Sequence, residues 1–296
     1  MDETPNAERP DGFEHYLARL GLSVATAQSY ARSVARLSAW LREDHLTPET
    51  ATYRNVLAWV RSLDVGPKTR NGMLTAVRHY MAHLVAEGKR ADNPARGLVV
   101  RGERRRLPHD LLSAERLAAI YSDYRTGSPA RQRNKATLGL LVYQALHVHE
   151  IALLDADDVD LEGGLVSVPG SRIADGRVLW LDGRQVHGLA VYLTESRPAL
   201  LAATGKETAR LFLSAGTGAR LSNAVAVLMR ELRRTHPDFR DAKQLRASRL
   251  ALWLRTEHVR EVQHRAGHRY VSSTERYRAQ DLDRLQSALD KHHPLR

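Results

Sequence analysis

Lys243-Gln244-Leu245-Arg246, Arg265-Ala266-Gly267-His268 and Ser273-Thr274-Glu275-Arg276-Tyr277 follow one another in the last quarter of this 296-residue chain. His268 stands nine positions before Tyr277 and Arg246 twenty-two before His268. Brought to one place, these three side chains suit chemistry at a phosphodiester. A guanidinium holds the non-bridging oxygens, an imidazole N–H adds a donor, and a phenol attacks phosphorus. A free phenol ionises near a pKa of ~10, so attack needs cations close by. A tyrosine taken singly is more often an interface aromatic than a nucleophile. Gly267 supplies the tight backbone bend before His268. The residues after Gln244 predict an amphipathic helix with Leu250, Trp253 and Leu254 on its inner face.

The remaining composition agrees with a polyanionic partner. Lys and Arg number 45 against 34 Asp and Glu, a formal charge of +11, and nucleic acid is the commonest partner of such a chain. With 43% hydrophobic and 27% charged residues the chain is globular, and its length suits two domains. There is no cysteine, which excludes disulfides, zinc–thiolate sites and cysteine nucleophiles. Residues 1–12 are acidic and polar rather than a secretory leader. No apolar run approaches the ~18 residues of a membrane span, so a cytoplasmic protein is expected.

The first hundred residues predict short amphipathic helices. Phe13, Tyr16, Leu17 and Leu20 mark one over 12–21. Ser23 caps a longer one with Tyr30, Val34, Leu37 and Leu41 buried. Thr47-Pro48-Glu49 reads as the start of a third, carrying Val56, Leu57 and Val60 inward. A fourth runs over 68–87 with Leu74, Val77, Met81 and Leu84 on one face, ended by Gly88 and by Asn93-Pro94. Lys68, Arg70, Arg78, Lys89 and Arg90 are candidate phosphate contacts, which position a protein on DNA without reading sequence. Residues 99–108, with Arg101, Arg104, Arg105 and Arg106, lack apolar periodicity and read as a basic linker, either a clamp around DNA or a plain tether.

Beyond the linker, Ser113 caps a helix with Leu117, Ile120 and Tyr121 inward, Thr126 to Ala130 is a turn-rich gap, and Leu138 to Val142 is an apolar helix. Leu165 to Val168 and Arg177 to Leu181 predict a hairpin or small three-stranded sheet. Helices are expected over 186–200, 223–234 and 282–289, and a short buried strand or extended segment at Leu211-Phe212-Leu213. His147-Val148-His149-Glu150 raises a metal site. However, histidines at i and i+2 share a face only on a strand and the flanks read as helix, so no metal is expected.

This succession resembles the tyrosine recombinases, the family of phage integrases and chromosome-dimer resolvases. The order Leu22-Ser23, Ser29-Tyr30-Ala31-Arg32, Lys68-Thr69-Arg70-Asn71, Ala76 to Tyr80 and Asp92-Asn93-Pro94-Ala95 is similar to the family's core-binding domain. The C-terminal blocks are similar to its catalytic domain. The implied fold is mainly α: a helical, SAM-like core-binding domain over 11–98, the linker over 99–108, and an α-rich catalytic domain over 109–296 with a small antiparallel sheet.

The resemblance also implies the chemistry: cleavage and rejoining of double-stranded DNA through a 3′-phosphotyrosyl bond at Tyr277, without cofactor. It implies a dimer to tetramer on DNA, or work beside a partner recombinase. Arg246 becomes the second arginine of the family's set, Lys243 stands for the histidine of His-x-Leu-Arg, and His268 donates to the phosphate. In the family's Leu-Arg-x-x-Glu segment, Leu146 and Glu150 match, but His147 stands where the first arginine belongs. Arg172 falls where a hairpin lysine acts as general acid. Arginine offers a bidentate fork at any pH, and a histidine at 147 replaces it only in part, best when protonated beside a phosphate. Arginine in place of lysine is in turn a poor proton donor. The alternative is a recombinase-like DNA-binding protein with weak or no cleavage of its own.

Overall fold

The computed structural model describes residues 12–100, 110–171, 174–205, 207–213 and 221–278. The chain divides into two compact units, Met1–Arg106 and Leu107–Arg296. The architecture is mainly helical with one small sheet, as expected.

In the first unit α1 (Phe13–Arg19), α2 (Val24–Glu43), α3 (Tyr53–Ser62) and α4 (Pro67–Ala86) close on one core. It contains Leu17, Leu37, Leu41, Val56, Trp59, Leu74 and Met81. Ser23 caps α2 through the amide of Thr26, and Pro67 takes the first position of α4, where a missing N–H costs nothing. The start expected at Thr47-Pro48-Glu49 is instead a turn closed by Ala51 N–H on the Thr47 carbonyl at 2.9 Å. The helix begins at Tyr53 because Thr52 and Asn55 form a reciprocal capping box: the Thr52 amide donates to Asn55 Oδ1 at 2.9 Å and the Asn55 amide to Thr52 Oγ1 at 3.4 Å.

In the second unit α6 (Pro129–Val142) is the central helix, buried over most of its length and flanked by α5 (Ala114–Asp123). It starts inside the gap expected at Thr126 to Ala130, because Ser128 caps it and Pro129 opens it. Its polar residues survive burial by being bonded: Arg133 donates to Leu213 O at 2.8 Å and to Asn134 Oδ1 at 2.9 Å. The single turn α7 (Val148–Ile151) leads to an antiparallel sheet of β1 (Val159–Asp160), β2 (Leu165–Val168) and β3 (Arg177–Trp180), in that order. Leu165 pairs with Trp180 and Val168 with Arg177.

The helix expected over 186–200 is two, α8 (Gly183–Val191) and α9 (Arg197–Thr204), joined by a wider π turn at Tyr192–Ser196. Tyr192 is fully buried there and its hydroxyl donates to Leu211 O at 2.8 Å. Leu211, Phe212 and Leu213 are buried but form no strand; the neighbouring Arg210 makes only an isolated bridge to Asp155. Helices α10 (Leu221–Thr235), α11 (Ala242–Thr256) and α12 (Val259–Ala266) follow, and residues 272–278 are again helical. The helix expected over 282–289 lies outside the described residues. Among the described residues no helix is long and apolar enough to cross a membrane.

Candidate active site

The site is built around the C-terminal end of α12. The last four carbonyls of any helix lack intrahelical partners and carry the negative end of its dipole. Here all four are taken. Gly267, at φ 67°, turns the chain so that its own amide reaches His264 O at 2.9 Å and the His268 amide reaches Gln263 O at 3.0 Å. The other two attract arginines: Arg177 Nε donates to Arg265 O at 2.8 Å, and Arg246 Nη2 to Ala266 O at 2.7 Å.

Arg246 lies in the second turn of α11 and is 4% exposed. Asp241 caps α11, and Arg246 reaches across to the negative end of α12. Its Nη1 also donates to the carbonyl of Ala145, a residue held in the left-handed region at φ 53°. Burial pulls the guanidinium down to about 10, with Glu150 acting against the shift, and it remains charged at neutral pH.

His268 Nε2 lies 3.2 Å from Arg246 Nη2, and Nδ1 lies 2.8 Å from Thr274 Oγ1. Arginine only donates, so Nε2 accepts, and the ring hydrogen of a neutral His268 sits on Nδ1, donated to Thr274. Burial, then Arg246, Arg276 and Arg177, lower this imidazole to about 4. Tyr277 stacks on it, with ring centroids 6.2 Å apart and planes 11° from parallel. The phenol is 7% exposed within a small core of Leu250, Trp253, Val262 and Ala266, and its oxygen accepts from Arg276 at 3.3 Å.

Opposite lies the turn 145–150. His147 is extended before α7, its amide donates to Glu150 Oε2 at 2.8 Å, and Glu150 Oε1 accepts from Arg177 Nη1 at 2.7 Å. That ion pair is sealed, with side-chain exposures of 0% for Arg177 and 1% for Glu150. Burial alone would raise the Glu150 carboxyl, but Arg177, the His147 amide and Arg246 hold it below the usual carboxylate range. Arg177 also donates to Asp175 O at 3.2 Å, and its Nη2 is buried without a hydrogen-bond partner among the described residues. Gly267 therefore has a second reason to be glycine: a Cβ there would sit 2.5 Å from Arg177 Nη1.

The chain matches the model of the phage integrase N-terminal SAM-like domain over residues 11–88 and that of the phage integrase family over 110–284. It belongs to the phage integrase family. Tyrosine recombinase XerD of Vibrio cholerae is 25% identical over 286 residues, covering 93% of this chain and 92% of the relative. Tyrosine recombinase XerC of Xanthomonas campestris pv. campestris is 27% identical over 297 residues, covering 95% and 88%. Among solved structures, XerH site-specific recombinase in a post-cleavage complex with its difH substrate aligns with a TM-score of 0.69 at 14% identity, over 92% of this chain and 81% of that one. The Tn1549 transposon integrase bound to transposon right-end DNA aligns with a TM-score of 0.63 at 13% identity, over 95% and 99%. These solved structures share the fold.

Measured against the family pattern, Arg246, His268, Tyr277 and Glu150 converge, with Gly267 at the bend joining them. His147, Lys243 and Arg246 line one cavity of about 850 Å³; Lys243 is exposed and His147 half-buried. His147 is not held in its charged form, however. Burial, then Arg246, push its imidazole down to about 3. Nor do His147 and His149 point apart: because His147 precedes the helix, their rings stack at 5.1 Å. No group of three or more potential metal ligands occurs among the described residues.

Arg172 and Arg104, Arg105 and Arg106 lie outside the described residues. Lys68 and Lys89 are exposed. Arg70 donates to Leu63 O at 2.7 Å. Two of the proposed phosphate contacts are internal ties instead. Arg78 holds Ala95 O at 3.2 Å and Leu98 O at 2.6 Å, and Arg90, with 6% side-chain exposure, holds Pro48 O and Ala51 O.

Arg177 and Thr274 are the site residues the sequence reading missed. Both left a trace. Arg177 falls on the inward register of β3 with Leu179, while Val178 and Trp180 face out. Thr274 lies three residues before Tyr277, on the same helical face.

Proposed function

We propose that this protein is a site-specific recombinase that cuts and rejoins double-stranded DNA through Tyr277. The observation that carries the reading is the stack of Tyr277 on His268, whose other edge meets Arg246. The phenol oxygen bonds to phosphorus and loses its proton, the P–O5′ bond breaks, and the departing 5′ oxygen takes up a proton. The DNA 3′ end is then held as a tyrosyl ester, and attack by a 5′-hydroxyl from a second strand reverses the step. Because the ester retains the energy of the phosphodiester, rejoining needs no high-energy cosubstrate. Arg246, buried and charged, offers its guanidinium to the phosphate, an electrostatic contribution of the kind worth roughly 10²–10³ in rate.

Lys243, exposed in the cavity beside Arg246 and His147, is assigned to the same phosphate, as is Arg172 of the hairpin. Lys68 and the basic run Arg104, Arg105, Arg106 are assigned to the DNA backbone, with Arg70 beside them. A dimer to tetramer on DNA, or assembly with a partner recombinase, in the cytoplasm, completes the proposal. A second reading, a DNA-binding relative that cuts only beside a fully equipped partner, is favoured by the neutral His147 at the place of the first arginine.

A half-site suicide substrate, whose short 5′ fragment diffuses away after cleavage, tests both. A covalent adduct that Tyr277→Phe abolishes is the expected result. Tight DNA binding with no adduct from the wild type overturns the first reading in favour of the second.

A further inference from the structure

We infer that Thr274 is a positioning residue that lets His268 exchange tautomers when a phosphate arrives, so that the ring becomes a donor without becoming a cation. This rests on the recombinase reading for its consequence, but not for its free-state geometry.

As its partners stand, His268 faces the wrong way for a phosphate. Its Nε2 lone pair is turned to Arg246 Nη2 at 3.2 Å, and the ring hydrogen is on Nδ1, 2.8 Å from Thr274 Oγ1. An acceptor edge cannot bond a phosphate oxygen. Once Arg246 turns a donor toward an entering phosphate, Nε2 must carry a hydrogen. Protonation would supply one, but the surroundings oppose it: Arg246 from α11 donates to the ring, and the charges of Arg276 beside Tyr277 and Arg177 from β3 add to burial against the carboxylate Glu150. Moving the hydrogen from Nδ1 to Nε2 leaves the charge unchanged. That exchange strands Nδ1 as a buried acceptor unless its partner can also reverse roles.

A hydroxyl can. It accepts from Nδ1–H in one tautomer and donates to bare Nδ1 in the other. Thr274 has the required properties: it is fully buried, so no water can replace it, and its backbone is fixed by its amide bond to Val271 O at 2.7 Å. It also lies on the helical stretch that carries Tyr277, so the ring and the phenol share one support. A carbonyl at this place would pin Nδ1–H permanently, and an ammonium or guanidinium would pin the lone pair there.

The test uses full-length protein and three variants, Thr274→Ser, Thr274→Val and His268→Gln, the last to identify the His268 signal. Nitrogen-15 NMR of the histidine rings at pH 7 reads the tautomer directly. In wild type the hydrogen is expected on Nδ1 without DNA and on Nε2 with an uncleavable Tyr277→Phe half-site complex. Thr274→Ser repeats this exchange. Thr274→Val, nearly the same shape, keeps Nδ1–H in the free protein, where Arg246 still holds the Nε2 lone pair, but shows a reduced Nε2–H form in the half-site complex and cleaves the suicide half-site roughly tenfold more slowly in single turnover, the effect of one unpaired buried polar atom. Serine restores the rate.

A free-state ring with its hydrogen on Nε2, a doubly protonated ring in the DNA complex, or wild-type cleavage by Thr274→Val would each overturn the inference. Absence of any adduct from wild type while the free-state tautomer is as expected would overturn the recombinase reading and leave the assignment of Thr274 as His268's partner standing.

Discussion

Replacing Arg177 by methionine removes one half of a sealed ion pair and leaves Glu150 in place. At 2.7 Å and an effective dielectric constant of ~20, the attraction is roughly 6 kcal/mol before desolvation is counted. Burying each ion costs several kcal/mol, so the pair as a whole contributes little net stability. Deleting one partner is different, because the other charge stays buried. Arg246 still faces Glu150, and the His147 amide still donates to it. The Arg265 and Asp175 carbonyls also lose donors. The expected loss is about 3–5 kcal/mol.

Urea unfolding at pH 7, followed by a probe in the second unit, measures this loss. Adding Glu150→Gln should recover most of it, since a neutral amide no longer needs the cation. Without Arg177, burial raises the Glu150 carboxyl above its unfolded value, so the penalty is complete above the raised folded value, shrinks as the pH falls from there toward about 4.3, and is absent below it. An Arg177→Met protein within about 1 kcal/mol of wild type, or a double variant as unstable as the single one, would refute the assignment of this pair as a buried, uncompensated-when-broken contact.

Three further outcomes follow from the site. Gly164 and Gly267 share φ 67°, but only Gly267 is crowded. Gly164→Ala should cost about 1–2 kcal/mol for the left-handed backbone, and Gly267→Ala clearly more, because Arg177 must also move; equal losses by thermal unfolding would contradict the packing. His147→Arg restores a bidentate donor beside Lys243 and Arg246 and should raise suicide-substrate cleavage by roughly 10–100-fold; an unchanged rate means position 147 does not face the phosphate. His147 and His268 both have folded pKa values below the ordinary imidazole value. Their contribution to stability is therefore complete above about pH 6.5 and lost as the pH falls toward about 4, with a loss on the order of 2 kcal/mol by pH 5 after solvent screening. Combining His147→Gln with His268→Gln should flatten that slope in urea unfolding, and an unaltered slope would assign it to other groups.

In the sequence by itself, short local motifs make Arg246, His268 and Tyr277 candidates for the chemistry, and apolar periodicity marks most of the helices around them. Ser23 and Ser113 mark helix starts because capping depends on two or three adjacent residues. Thr47-Pro48-Glu49 misled because Thr52 with Asn55, five residues on, forms the reciprocal capping box that starts the helix.

The tertiary structure alone decided what each charge is for. Arg78 and Arg90 look as free as Lys68 in the sequence, yet their donors close on carbonyls 17 to 42 residues away. Arg177 meets Glu150 across 27 positions, and Arg246 meets Ala145 across 101. The same holds at the active-site stretch itself. Its sequence places a histidine near a tyrosine, but that His268 accepts from Arg246 and donates to Thr274 follows only from where α11, the end of α12 and the residues around Tyr277 come together. Burial and hydrogen-bond partners are properties of the folded neighbourhood, and they decide protonation and therefore function.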